Sequence, residues 1–174
     1  TYILKTYQPH LFLLHLIQLD GAQHDHGPGS PEALQALKRV DAHVGEIVAA
    51  LKASGLAETT TLAVVSDHGF LPVTQQVQLN ATFKQAGLLT VNERGVVTDW
   101  KAYFSGSGGS GYVFVKDAAD EARVGALVRD LARAPANGIR EVWDRAALRA
   151  RGAHPDAAFG IDAMDGFATG NGHD

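Results

Sequence analysis

The chain has 174 residues, of which 45% are apolar and 20% charged, a composition typical of a globular domain large enough to form a core. Its net charge is −4 and no block of basic residues stands out, so we expect no nucleic-acid-binding surface. It has no cysteine, which excludes disulfides and thiolate metal sites and leaves histidine and carboxylate as the ligands for any transition metal.

The longest apolar run, LFLLHLIQL at residues 11–19, is too short to cross a membrane and contains His15 and Gln18. We therefore predict no membrane-spanning segment. The chain begins at Thr1 rather than at methionine and shows no signal peptide, so we expect a processed product or a fragment.

The first half of the chain predicts a strand, a long helix and a second strand. LFLLHLIQLD predicts a buried strand that ends at Asp20, and GAQHDHGPGS predicts a loop after it. Ser30 is a favourable N-cap and Pro31 suits the first helical position; apolar residues at spacings of three and four then predict about six helical turns ending near Gly55. Thr60–Asp67 predicts the second buried strand. This order favours a parallel pair, whose carboxyl ends lie at the same edge of a sheet.

Shorter elements are predicted in the second half. VQLNATFKQAGLLTVN predicts a short strand, a helical turn and another strand, and WKAYFSGSGGSGYVFVKD predicts two strands around a flexible Gly/Ser turn. Asp120–Pro135 predicts a second amphipathic helix, with Val124 and Val128 on its apolar stripe.

Two pairs of carboxylate and imidazole side chains follow the predicted strands. Asp20 and His24 are four residues apart, whereas Asp67 and His68 are adjacent, with Gly69 permitting a turn that lets both face one site. Because ligands bind outside the carboxyl ends of strands in open α/β sheets, we expect the two pairs to meet. Four oxygen and nitrogen donors suit Zn²⁺ or a similar ion, and two pairs suggest two ions, as in sites of phosphoryl transfer.

Structural roles stay open for the same residues. Asp20 could cap a helix or loop, and His68 could be a hydrogen-bonded histidine at the rim of the sheet. We expect Ser66 to support the ligand pair or shape its turn, Phe70 to pack at the rim, and His26 to be a solvated residue of the loop.

The segment from LDGAQHDHGPGS to LAVVSDHGF resembles the type I phosphodiesterase/nucleotide pyrophosphatase family of the alkaline phosphatase superfamily. Members show an aspartate, a histidine four residues on, Gly-Pro, a helix containing VD and a glycine, a GL turn, and a strand ending in SDHG. The resemblance continues more loosely through QLNATFKQAGLL, GSGGSGYVFV and GFATG. It implies an α/β fold with an alkaline-phosphatase-like, largely parallel sheet that is flanked by helices and incomplete at its N-terminal side. Residues 1–174 would then be a single domain, the C-terminal part of a larger phosphodiesterase-type catalytic domain.

The resemblance also implies a dinuclear centre with two divalent metal ions, expected to be Zn²⁺. Residues matching Asp20 and His24 hold one ion with a later histidine, which would be His173 or a histidine beyond the C-terminus. Residues matching Asp67 and His68 hold the other ion with an earlier aspartate and a nucleophilic threonine. The substrate would be a small phosphate ester such as a nucleotide, cleaved at a phosphodiester or pyrophosphate bond. No residue here matches the threonine, so we expect no catalytic residue in this chain and no activity of this polypeptide alone.

Two alternatives remain: another hydrolase of the superfamily (a phosphomonoesterase, phosphonate hydrolase or sulfatase), or a non-catalytic metal-binding domain. An incomplete sheet would expose an edge and apolar surface, so we expect association, for example as a homodimer. The compartment is left open, with a lean towards the periplasm or secretion because family members are often exported.

Overall fold

The structure is a computed structural model that describes residues 1–173. Its backbone contacts divide the chain into two compact units, the first covering Thr1–Pro72 and the second beginning at Val73. Within the described residues, the first unit is helical and the second holds the sheets. That the chain belongs to one larger catalytic domain stays a prediction.

The described elements of the first unit are α-helices and one 3₁₀ turn. They are α1 (Tyr2–Tyr7), α2 (Gln18–His26), α3 (Pro31–Ala53) and the 3₁₀ turn Ala57–Thr59.

Helix α3 confirms the long helix predicted after Ser30. The Ser30 hydroxyl oxygen accepts a hydrogen bond from the N–H of Ala33 at 3.1 Å, which satisfies one of the free donors of the first turn. The helix ends in a Schellman motif, in which Gly55 has a φ of 68° and the N–H of Leu56 donates to the carbonyl of Leu51 at 3.0 Å. Both ends are therefore set by local sequence.

Helix α2 takes the place of the predicted strand end and of the loop after it. Gly21, the first residue of the predicted loop, lies inside the helix, and its N–H donates to the carbonyl of Ile17. A glycine in a helix interior costs about 1 kcal/mol relative to alanine, too little to end a helix by itself. The helix ends instead at Gly27, whose φ is 85°. The prediction of a strand ending at Asp20 is wrong in this structure, because Asp20 lies in the first turn of α2.

The two segments predicted as buried parallel strands, residues 11–20 and 60–67, form no β-strand in this structure. In the part of the chain that the structure describes, neither residues 11–16 nor residues 60–66 pair with a neighbour through backbone hydrogen bonds. A strand needs a partner that supplies N–H and C=O groups along its edge, and apolar composition alone does not provide one.

The second unit confirms the elements predicted from residue 75 onwards. Its described helices and strands are β1 (Gln75–Val77), α4 (Leu79–Gln85), β2 (Leu89–Val91), β3 (Val97–Trp100), β4 (Ala102–Ser107), β5 (Ser110–Val115), α5 (Ala118–Ala132), β6 (Ile139–Asp144), α6 (Arg145–Ala150), β7 (Phe159–Ala163) and β8 (Phe167–Thr169).

The sheets of the second unit are mostly antiparallel. The largest has the strand order β4-β5-β7-β6 with antiparallel neighbours throughout, β2 pairs with β3 antiparallel, and β1 pairs with β8 in parallel. The predicted α/β composition is confirmed, but a largely parallel sheet is not. One reason is local: Ser107 pairs with Ser110, and so tight a turn can join only antiparallel strands.

A buried apolar core lies between the sheets and helices of the second unit. Its fully buried large side chains are Phe83, Leu88, Phe104, Val113, Val124, Val128 and Ile161.

Two asparagine side chains cover the outer edge of β4. Asn80 is fully buried; its Oδ1 accepts from the N–H of Phe104 at 2.8 Å, and its Nδ2 donates to the carbonyl of Phe104 at 2.9 Å. Asn171 makes the same pair of bonds with Gly106, at 2.7 and 3.1 Å. Each amide replaces the peptide of a neighbouring strand, so the edge is closed to further strand pairing.

No helix among residues 1–173 combines the length and apolar character needed to cross a membrane.

Candidate metal centre

Helix α2 places Asp20 and His24 on the same face. Residues four apart are neighbours on a helix surface, and Nε2 of His24 lies 3.6 Å from Oδ1 of Asp20. Asp20 lies in the first turn and His24 in the last, where the helix dipole favours an acidic and a basic side chain respectively.

The turn after Asp67 fixes the orientation of the His68 ring. The hydroxyl of Ser66 donates to the carbonyl of His68 at 2.5 Å, and the N–H of His68 donates to Oδ1 of Asp67 at 3.1 Å. Nδ1 of His68 lies 3.1 Å from the carbonyl oxygen of Gly69. Because a carbonyl only accepts, this contact is a hydrogen bond when the proton is on Nδ1, the tautomer that leaves on Nε2 the lone pair with which histidine binds metals.

The structure brings all four predicted site residues together in the first unit. Nε2 of His68 lies 3.7 Å from Oδ1 of Asp20 and 3.6 Å from Oδ2 of Asp67. Since Oδ1 of Asp20 also faces His24, one carboxylate oxygen lies beside both imidazoles. The placement arises without a parallel strand pair, because α2 carries one pair and the turn at residues 66–70 carries the other.

Attraction between the carboxylates and the imidazoles does not account for the arrangement. The four side chains are between 47% and 74% exposed, and ion pairs of exposed side chains contribute only about 0–1 kcal/mol. The separations of 3.6–3.7 Å are also too long for hydrogen bonds.

The same spacing is close to that of two ligands on one ion. With bonds of about 2.0–2.2 Å, two ligand atoms of a tetrahedral zinc ion lie roughly 3.3 Å apart. The carboxylate and imidazole donors therefore fit a zinc ion in chemistry and in pairwise spacing. Among residues 1–173, however, no group of three or more His, Asp or Glu side chains is arranged to hold a metal ion.

An apolar cleft of about 630 Å³ lies beside this cluster within the first unit. Asp20, Asp67, His68 and Phe70 contribute to its lining, together with apolar side chains from residues 12–19, α3 and residues 62–65. This cleft was not predicted from the sequence, although the apolar stripe on α3 indicates one of its walls.

His173, the candidate for a further ligand, lies in the second unit. A Cβ placed on Gly95 would be 3.7 Å from its Nε2, which locates His173 beside the turn between β2 and β3. Its role as a ligand stays a prediction.

The orientation of His68 by the Gly69 carbonyl was not predicted from the sequence, although the Asp-His-Gly motif contains both partners.

A family model described as type I phosphodiesterase / nucleotide pyrophosphatase matches residues 2–156. The mouse protein named ectonucleotide pyrophosphatase/phosphodiesterase family member 1 is 42% identical over 62 residues, which are 36% of this chain and 7% of the mouse protein. Its human counterpart is 40% identical over 65 residues, covering 37% of this chain and 7% of the human protein.

A bovine protein named bis(5'-adenosyl)-triphosphatase ENPP4 is 34% identical over 62 residues, covering 35% of this chain and 14% of the bovine protein. The chain thus spans only a small part of the length of the curated relatives that it matches. No solved structure gives a significant match.

Proposed function

We propose, because the chain belongs to the type I phosphodiesterase/nucleotide pyrophosphatase family, that it forms part of an enzyme that hydrolyses phosphodiester or pyrophosphate bonds with divalent metal ions. The observation that carries the proposal is the position of Asp20, whose Oδ1 lies 3.6 Å from His24 and 3.7 Å from His68. Two segments that are far apart in the chain thereby present carboxylate and imidazole donors to one small volume.

In this proposal Asp20 and His24 hold one ion, and Asp67 and His68 hold the other. Zn²⁺ suits this donor set of two carboxylates and two imidazoles. When bound, such ions stabilise negative charge on a phosphoryl group. The chain contributes the ligand geometry: α2 sets the spacing of the first pair, and the Gly69 carbonyl orients the His68 ring so that Nε2 faces the carboxylates. The partial exposure of all four side chains leaves the cluster accessible to a substrate.

The proposed substrate is a small phosphate ester such as a nucleotide. Support comes from the relatives, since the mouse and human proteins are named as nucleotide pyrophosphatases/phosphodiesterases and the bovine protein as a bis(5'-adenosyl)-triphosphatase. We propose that the family's nucleophilic threonine has no counterpart among these residues and that this polypeptide binds metal without turning over substrate.

Calorimetric titration with Zn²⁺ and an assay with bis(4-nitrophenyl) phosphate test the two parts separately. We expect the chain to bind zinc, His68→Ala to lose most of that binding, and His43→Ala to keep it. His43 is a matched control because it is a half-exposed histidine of α3 whose nearest carboxylate is Glu46. Absence of zinc binding would contradict the ligand assignment. Robust hydrolysis by this polypeptide would contradict the proposal that it lacks the nucleophile.

We also propose that copies of the chain associate through the first unit. Large apolar side chains are exposed there around the segments predicted as strands: Leu11, Leu13, Leu14, Ile17, Val64 and Val65. Exposed apolar surface of this kind favours burial against a second molecule, and a homodimer is the simplest form.

A further inference from the structure

The ring of Phe70 contacts both imidazoles of the candidate metal centre. Its centroid lies 4.7 Å from that of His24, with the rings nearly perpendicular at 82°, and 5.8 Å from that of His68, at an angle of 55°. Both are distances at which aromatic rings attract one another. Phe70 is itself half-buried and borders the apolar cleft, so its ring is less free than a fully exposed one.

The two histidines depend on this contact to different degrees. His68 is also held by its hydrogen bond to the Gly69 carbonyl. Among the described residues, His24 makes no side-chain hydrogen bond; its ring has only Asp20 at 3.6 Å and the edge-on contact with Phe70. A ring that is 66% exposed and lacks a hydrogen bond is free to rotate about its side-chain bonds unless a neighbouring group restricts it.

We propose that Phe70 is a positioning residue that holds the rings of His24 and His68 in the orientation needed to bind metal. The inference rests on the proposed function, because Phe70 would affect metal binding through the two proposed ligands that it contacts. Ligand rings that are oriented before the ion arrives lose less conformational freedom on binding, so removing the orienting group lowers metal affinity. Since His24 lacks the second restraint that His68 has, its ring should be the more affected.

The competing explanation is that Phe70 only fills the rim of the cleft. Phe12 separates the two explanations, because it is another half-buried phenylalanine that lines the same cleft but has no ring contact with either histidine. Phe70→Leu removes the aromatic ring and keeps apolar volume, Phe70→Tyr restores the ring, and Phe12→Leu makes the equivalent change at the control position.

Two measurements on the full chain test the proposal. The first is Zn²⁺ affinity by calorimetry, where we expect Phe70→Leu to bind about tenfold more weakly than the wild type, the lower end of losses seen when support of metal ligands is removed. Phe70→Tyr and Phe12→Leu should stay within about twofold. The second is the chemical shift of the histidine ring Cε1–H groups in metal-free protein, because a neighbouring aromatic ring displaces these resonances. Phe70→Leu should move those of His24 and His68, and Phe12→Leu should leave them in place.

Equal zinc affinities and equal histidine shifts for Phe70→Leu and Phe12→Leu would overturn the proposal. If wild-type protein binds no zinc, the proposed function fails, and the shifts in metal-free protein still report whether Phe70 lies against the two rings. Circular dichroism shows whether each variant is folded; should Phe70→Leu unfold, Phe70→Met takes its place under the same criteria.

Discussion

Oδ1 of Asp20 lies 3.7 Å from Nε2 of His68, so a carboxylate of α2 faces an imidazole from the turn at residues 66–70. The same oxygen faces His24 at 3.6 Å. We therefore expect Asp20→Asn to weaken zinc binding at least about tenfold, or about 1.4 kcal/mol, because the amide lacks the charge that a divalent ion requires. Calorimetric titration measures the change.

The control for this prediction is Asp25→Asn. Asp25 lies on the same helix and is exposed, and its carboxylate contacts neither His24 nor His68 in the described structure. Equal zinc affinities for the two variants would show that Asp20 is not a ligand.

The ends of α3 show which parts of the fold are encoded locally. Ser30 accepts a hydrogen bond from the first turn, and Gly55 takes a positive φ just past the last, so the two residues mark the helix in the sequence as they do in the structure. The region before α3 shows the opposite. Leu11–Leu16 has the composition of a buried strand, but a strand is defined by its partner, and nothing within a short apolar run specifies one.

In the candidate site too, some features are encoded locally in the sequence and others depend on contacts made in space. Asp20, His24, Asp67 and His68 are predicted as ligands from their spacing, their neighbours and the family resemblance, and that role stays a prediction. The orientation of the imidazoles does not, because it depends on the Gly69 carbonyl and on the ring of Phe70, which are contacts made in space. Residues 18–26 form helix α2 instead of the predicted strand end and loop, because Gly21 costs a helix only about 1 kcal/mol.

Asn80→Ala should destabilise the second unit. The substitution leaves the buried N–H and carbonyl of Phe104 without their partners, and an unsatisfied buried polar group costs about 1–3 kcal/mol. Urea unfolding followed by tryptophan fluorescence reports on this unit, because Trp100 and Trp143 both lie in it. The matched control is Gln85→Ala at an exposed position of α4; an Asn80 variant as stable as this control would contradict the edge-covering role.

Gly111→Ala should also lower the stability of the second unit, although alanine is otherwise the better strand residue. A Cβ at Gly111 would lie 2.5 Å from the Phe104 ring and 2.7 Å from the backbone oxygen of Ser105. Relieving such contacts costs about 1–3 kcal/mol, which lowers the melting temperature by roughly 4–8 °C per kcal/mol in a domain of this size. The Cβ of Gly109→Ala would have no neighbour within 4 Å. The free energy of unfolding of this variant should therefore stay within about 0.5 kcal/mol of that of the wild type. Equal melting temperatures for the two variants would refute the close contact.

The pKa of Asp99 should depend on Lys116. The side-chain hydrogen bond from Lys116, at 2.9 Å, is the main cause that holds the pKa of Asp99 below its usual range; a backbone hydrogen bond with Trp100 adds to it. A carboxylate with a lowered folded-state pKa stabilises the fold above its unfolded pKa of about 3.9, and this contribution is lost as the pH falls through the folded-state pKa.

Lys116→Met should therefore raise the pKa of Asp99, as measured by NMR titration of its carboxyl carbon. Lys101→Met should raise it less, because the attraction of Lys101 is the smallest of the causes. The effect of Lys116→Met on stability should be small, since the pair is exposed, and should vanish at acid pH once Asp99 is protonated. An unchanged pKa in Lys116→Met would show that the ion pair does not form in solution.

Association of the chain should depend on apolar side chains of the first unit. Leu13 is 82% exposed and Val65 is 87% exposed, in the two segments that lack backbone partners. Burying apolar surface contributes about 25 cal/mol per Å², so a second copy that covers these side chains is favoured over water. We expect the molar mass from light scattering to rise with protein concentration. The double variant Leu13→Lys, Val65→Lys should stay monomeric, because its charges would have to be buried.

Val96→Lys is the control, because Val96 is a 57% exposed valine at the turn between β2 and β3, and its replacement should leave association unchanged. A wild-type chain that stays monomeric at millimolar concentration, or a double variant that associates as strongly as wild type, would contradict the prediction.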